Sequence, residues 1–161
     1  MQQLTPQPLT KEAFDAFGDV IETDGAAPLE INQGFARRFN HLAGIDVATG
    51  GTMANVSLFE AKPRAQPIAI KLMERHPLGS QLFMPLQDKP WLVVVCGDPR
   101  VPDSYRAFVA SGRQGVNYAR NVWHHPLLVL GDDERFLVVD RLGADNTEEV
   151  WLDQPLSLLT A

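Results

Sequence analysis

The sequence predicts an all-β jelly-roll barrel with one or two short helices near the N-terminus. Three observations carry this. Apolar residues recur at period two over most of the chain, the spacing of half-buried strands. The runs are separated by hairpin-length connections rich in Gly, Pro and Asp: Gln87–Pro90, Gly97–Pro99, Ser111–Gly115 and Gly131–Asp133. Helical periodicity is confined to the first 41 residues. Eight or nine short-linked strands favour closure, because an open sheet leaves unpaired edges. At 161 residues the chain fits a single domain, residues 1–161, with a sizeable core.

The first element is a helix over Lys11–Phe17. Thr10 is its N-cap, Glu12 lies in the first turn and Gly18 stops it. Ala13, Phe14 and Phe17 form its expected buried stripe. Phe35–His41 is a second, shorter helical candidate. Strands are expected at Asp19–Glu22, Thr52–Glu60, Ile68–His76, Gln81–Met84, Trp91–Val95, Tyr105–Val109, Tyr118–His124, Leu127–Leu130 and Arg135–Arg141. Ala54, Val56 and Leu58 share one face of their strand. The tail after Asp145, with Trp151, Leu156, Leu158 and Leu159, is expected to pack across the barrel or against a second subunit.

Composition narrows the partners. The chain is 45% hydrophobic and 21% charged, with net charge −6 and no cluster of Lys and Arg. That disfavours nucleic acid and anionic membranes, both of which need concentrated positive charge. Cys96 is the only cysteine, which excludes an intramolecular disulfide and a Cys₄ zinc site. It reads as a buried apolar side chain. The start, Met1–Pro6, lacks the charged-then-apolar pattern of a signal peptide, and no run is long enough to span a bilayer. A cytoplasmic location is the expectation.

Chemistry concentrates in two segments, Glu74–Gln81 (ERHPLGSQ) and Gly115–Pro126 (GVNYARNVWHHP), which hold three of the four histidines. On a strand over Ile68–His76, alternation places Ile68, Ile70, Leu72, Glu74 and His76 on one face, with Lys71 and Arg75 on the other. The buried row then ends in a carboxylate and an imidazole, groups that are expensive to bury unless used or paired. On a strand over Tyr118–His124, His124 goes inward with Tyr118 and Arg120. His125 then faces outward or into an interface, and Asn121 lies opposite Arg120. An inward Arg120 needs an anionic partner, either Glu74 or a bound carboxylate. His41 reads as a surface residue, and Asp140 with Arg141 as a local ion pair.

The order Glu74-x-His76, four residues, Gln81, then His124 on a later strand resembles the metal motif of the cupin superfamily. That motif runs His-x-His, three or four residues, Glu, and a later His. Here Glu stands in place of the first His, and Gln in place of the Glu. Because Gln offers only a neutral amide oxygen, His76, Gln81 and His124 would make a weak, exchangeable metal site, or none.

A more specific resemblance covers residues 4 to 153. Phe14–Glu22 (FDAFGDVIE), Glu74–Gln81, Gly115–Leu127 and Val139-Asp140-Arg141 resemble bacterial ureidoglycolate lyases. The resemblance implies a cupin-type barrel, a homodimer, and conversion of (S)-ureidoglycolate to glyoxylate and urea in allantoin and purine catabolism. It implies a divalent metal such as nickel, weakly bound here, and no organic cofactor. The chemistry needs a base for the hydroxyl proton, an acid for the leaving nitrogen and a cation for the carboxylate. Glu74 or His76 is the expected base, His124 the acid and Arg120 the anchor, with Gln81 and Asn121 as hydrogen-bonding groups. The alternatives are another cupin enzyme acting on a small hydroxy or keto acid, and a non-catalytic small-acid-binding barrel. The residues alone do not separate a lyase from an amidohydrolase releasing ammonia.

Overall fold

The computed structural model describes residues 2–50 and 52–160. Its strands, in chain order, are β1 Gln3–Leu4, β2 Gln7–Pro8, β3 Gly18–Ile21, β4 Leu29–Ile31, β5 Ala36–Arg38, β6 Ala54–Ala61, β7 Ile68–Arg75, β8 Gln81–Pro85, β9 Trp91–Cys96, β10 Tyr105–Ala110, β11 Gly115–Tyr118, β12 Trp123–His124, β13 Leu128–Val129, β14 Glu134–Arg141 and β15 Glu148–Leu158. Helix α1 spans only Lys11–Phe14. Thr10 caps it as expected, its hydroxyl oxygen accepting from Ala13 N at 3.1 Å. The helix stops one turn in, so Phe14 is buried, Phe17 half-buried and Ala13 exposed.

Two sheets face each other. One runs β1-β15-β7-β12-β9-β10-β2, with β13 also paired to β9; the other runs β3-β11-β8-β14-β6. Between them lies a core that includes Val93, Val95, Phe108, Phe83, Val116, Phe136 and Val138. The central strand β9 is buried on both faces. Trp91, Val93 and Val95 join this first core. Leu92, Val94 and Cys96 join a second one, with Ile68, Ile70, Met73, Leu156 and Leu158. An unbroken apolar run is the pattern expected of a strand covered on both sides. The tail thus becomes β15, which closes the second core against β7. Cys96 is free and buried, and burial pushes its thiol up to about 12.

Four further expectations are corrected. Phe35–His41 is not helical: Ala36–Arg38 pairs with Leu29–Ile31 as a separate hairpin, turned through Asn32 and Gln33 at positive φ. The alternation assigned to β7 slips: Ile68, Ile70 and Met73 are fully buried in the second core, while Leu72 is only half-buried. The slip coincides with an irregularity in β15, where the register jumps from Trp151 to Leu156 across Leu72 and Ile70. The strand expected over Tyr118–His124 is broken at Ala119–Val122, where Asn121 takes φ +65°. Finally, His125 is buried rather than outward. Its backbone N donates to Val94 O and its Nδ1 to Pro126 O, and burial pushes its pKa down to about 4. Among the described residues, no helix is long and apolar enough to cross a membrane.

Candidate active site

The site forms where the ends of β7, β8, β12 and β14 meet. β12 pairs with β7 so that His124 lies directly opposite Glu74, and the Glu74 carboxylate comes to 3.4 Å from His124 Nε2. The outward neighbour Arg75 pins this geometry, pairing with Glu148 at 2.6 Å and stacking over Trp123. Beyond the strand end, Pro77–Gly79 turns the chain so that Gln81 opens β8 beside His76. Asn146 clamps that turn: its side-chain oxygen accepts from Leu78 N, and its backbone oxygen accepts from His76 Nδ1 at 2.7 Å.

The hydrogen-bond pattern shows what the cluster lacks. His76 Nδ1 donates to Asn146 O, and His124 Nδ1 donates to Val122 O at 2.9 Å. A neutral ring with that tautomer keeps a lone pair on Nε2. Both Nε2 atoms face Gln81 Oε1, at 2.9 and 3.2 Å. The Gln81 amide cannot reverse without loss, because its Nε2 donates to Asp140 Oδ2 at 3.3 Å. Four acceptors therefore converge: two imidazole nitrogens, the amide oxygen and the Glu74 carboxylate. Such a set needs a positive charge among its members, either ring protons or a cation. The ligand atoms of Glu74, His76 and His124 lie within 4.8 Å of one another. Both imidazoles are oriented by backbone carbonyls, the usual support of a ligating histidine. The donor set thus fits a divalent metal.

Tyr118 stacks flat on His124, with centroids 4.1 Å apart and planes 9° from parallel. Burial and the nearby Glu74 charge push its phenol up, so it stays neutral. Burial would also raise Glu74, but the hydrogen bond and charge of His124, with His76 and His125, outweigh it. The carboxyl is held below its usual range. Glu74, His76, Gln81 and Asp140 line an open cleft of about 660 Å³, together with Arg141 and the loop Gly143–Thr147. His124 lies beneath this floor and is 1% exposed.

The structure therefore brings Glu74, His76, Gln81 and His124 together, as their spacing suggested. It does not bring in Arg120 or Asn121, because the break after β11 turns both away. Arg120 pairs with Asp46 through two hydrogen bonds of 3.0 and 2.7 Å and donates to Thr49 Oγ1. Asn121 is an exposed turn residue whose backbone N donates to His76 O. Asp140, like Asn146, is a site residue missed from the sequence. It makes no pair with Arg141; its two oxygens accept from Asn55 and Gln81. The signal was present: Phe136, Val138 and Asp140 share one face of β14, so a second buried row ends in a carboxylate.

Fold and cluster define a small all-β protein of two facing sheets, with a cluster of carboxylate and imidazole groups at one end. A family model described as "Ureidoglycolate lyase" matches residues 1–159, and the chain belongs to the ureidoglycolate lyase family. Curated relatives agree. The ureidoglycolate lyase of Stutzerimonas stutzeri (strain A1501) is 49% identical, over 99% of this chain and 95% of that one. Ureidoglycolate lyase 1 of Rhizobium meliloti (strain 1021) is 51% identical, over 94% and 90%. The Burkholderia mallei (strain NCTC 10229) ureidoglycolate lyase is 54% identical, over 89% and 85%. Among solved structures, a dTDP sugar isomerase from Desulfovibrio desulfuricans G20 aligns at TM-score 0.45 and 17% identity, covering 81% of this chain and 86% of that one. An oxalate decarboxylase aligns at 0.43 and 15%, covering 67% and 27%. Likeness this distant says nothing about this chain's ligands.

Proposed function

We propose that this chain cleaves (S)-ureidoglycolate to glyoxylate and urea. The carrying observation is the family match over nearly the whole chain, joined to an acid–imidazole cluster that opens on a cleft. The substrate is a hemiaminal. Its hydroxyl loses a proton, the C–O bond becomes a carbonyl, the C–N bond breaks, and the departing ureido nitrogen gains a proton. One proton moves from oxygen to nitrogen, so no co-reactant is consumed.

Glu74 and His76 are the two titratable cluster groups that line the cleft. Glu74, held charged, takes the hydroxyl proton. His76, oriented by Asn146, returns one to nitrogen. General acid and base groups each contribute about 10²–10⁴-fold. His124 was the expected acid. Lying beneath the cleft floor, it acts through Glu74, keeping that carboxyl ionised and aimed. Glu74, His76 and His124, with the Gln81 amide oxygen, would hold a divalent metal such as nickel. Bound there, a metal would supply Lewis-acid stabilisation of the substrate oxygen.

The working form we propose is a homodimer. The outer face of β6 exposes Val56 at 66% and Leu58 at 54%, and the β4–β5 hairpin exposes Phe35 at 92%. Surfaces of that kind on a small barrel favour a second copy. Sedimentation of wild type and of Val56→Asp with Leu58→Asp tests this, with a monomeric variant expected and a monomeric wild type overturning it.

The functional test is a product assay on (S)-ureidoglycolate that reads glyoxylate, urea and ammonia separately, with and without a chelator. Equal glyoxylate and urea without ammonia is expected. Ammonia in place of urea makes the chain an amidohydrolase. No turnover above the spontaneous rate leaves a binding barrel.

A further inference from the structure

The substrate carboxylate needs a cation, and Arg120 is not available. We infer that Arg141 is the carboxylate anchor of the cleft. Among the described residues that line it, Arg141 is the one Lys or Arg, set among the acidic Glu74, Asp140 and Asp145. A small dianion or monoanion entering such a site without a counter-charge would be repelled.

The guanidinium is positioned but not satisfied. Its Nε donates to Thr49 O at 2.8 Å, which fixes the plane of the fork. Its Nη1 is buried and has no hydrogen-bond partner among the described residues. Buried polar groups are normally hydrogen-bonded, so this N–H calls for a partner, an ordered water or a ligand. Arg120 is the contrast: it has a carboxylate already.

The backbone around Arg141 is cut to fit it. A Cβ on Gly50 would lie 2.7 Å from Arg141 Nη2, and a Cβ on Gly143 would lie 2.9 Å from Nη1. Gly79 approaches the same side chain, since a Cβ there would lie 3.1 Å from Arg141 Cβ. Three segments distant in sequence therefore leave room for one guanidinium at the rim of the cleft. A planar fork fixed at Nε beside the cleft can meet a carboxylate with paired N–H groups, geometry that lysine cannot reproduce.

This inference rests on the proposed ureidoglycolate chemistry, but its test does not require turnover. The probes are glyoxylate, which carries the carboxylate, and urea, which does not. Their binding to wild type, Arg141→Met and Arg141→Lys is read by titration calorimetry, with inhibition constants where the enzyme turns over. Arg141→Met should weaken glyoxylate by about 30-fold or more, the loss of a charge-assisted hydrogen-bonded contact, and leave urea within about twofold. Arg141→Lys should recover only part of the loss, and it serves as the readout if the Met variant is poorly folded. Unchanged glyoxylate binding in Arg141→Met overturns the assignment. So does a parallel loss of glyoxylate and urea, which would mark a structural role, and so does a wild type that binds no glyoxylate. Should the wild type bind glyoxylate through Arg141 yet fail to cleave ureidoglycolate, the anchor stands and the lyase reading falls.

Discussion

The two histidine segments differ in how far strand geometry carries their side chains. Glu74–Gln81 spans the end of β7, a tight turn and the start of β8, and it delivers three site groups: Glu74, His76 and Gln81. Gly115–Pro126 is longer, yet only His124 reaches the cluster. Its Tyr118 becomes the plate on which His124 stacks, and Arg120 turns out to the Asp46 loop. Alternation predicts facing only while the ladder continues. β11 ends at Tyr118 and β12 begins at Trp123, so nothing relates the face of Arg120 to that of His124.

The largest effects should come from the first segment. Glu74→Gln preserves shape and removes the base, so kcat/KM should fall by about 10³-fold, with His76→Ala close behind. His124→Ala should cost less, about 10²-fold, because it acts through Glu74. Steady-state kinetics on correctly folded variants decides the order. If His76→Ala and His124→Ala both keep the wild-type kcat/KM, the acid–base assignment is wrong. If His124→Ala costs more than Glu74→Gln, the second segment supplies the chemistry and the ranking of the two is reversed.

A smaller effect, about tenfold in kcat/KM, is expected for Asp140→Asn, on the scale of groups that orient a ligand from behind. Asp140 works by fixing the Gln81 amide with its oxygen toward the two imidazoles. A double-mutant cycle tests that route. In a Gln81→Ala background, Asp140→Asn should add little, since the amide it orients is gone; full additivity would mean that Asp140 acts independently.

Legibility in the sequence followed the same rule as the segments. β7, β8, β9, β10 and β14 were all readable because each carries an apolar run or alternation over five or more residues. The two-residue strands β1 and β2 were not, since a period of two cannot be seen in two residues, and their parallel pairings with β15 and β10 are set by tertiary contact. Glu74, His76, Gln81 and His124 were legible from spacing. Asp140 was legible in principle, at the end of the Phe136–Val138 row. The Asn146 clamp was not. It depends on where the connection between β14 and β15 folds back, and no local periodicity records that.

The next step down concerns Tyr118, the product of the second segment that still touches the site. Tyr118→Leu keeps an apolar filler but removes the flat face against His124. Aromatic stacking of this kind contributes about 0.5–1.5 kcal/mol beyond buried area. Thermal unfolding should show a modest loss, and kcat/KM should fall by less than for Asp140→Asn. An equal or larger kinetic loss would mean that ring orientation at His124 matters more than amide orientation at Gln81.

The smallest kinetic effect belongs to Arg120, and it bears most directly on the comparison. Its guanidinium is engaged by Asp46 and Thr49, outside the residues that line the cleft. That pairing is a partly exposed one, of the kind that contributes little in solution. Its link to the site is indirect: Asp46 O accepts from Ser80 N, next to Gln81, and Asp46 N donates to Ser80 Oγ. Arg120→Ala should therefore change kcat/KM by no more than about threefold, through slackening of the Asp46–Thr49 loop. Glyoxylate affinity should stay close to wild type. A large, selective loss of glyoxylate binding in Arg120→Ala would show that the broken segment closes on the substrate after all, and that the sequence alternation described the liganded state rather than this one.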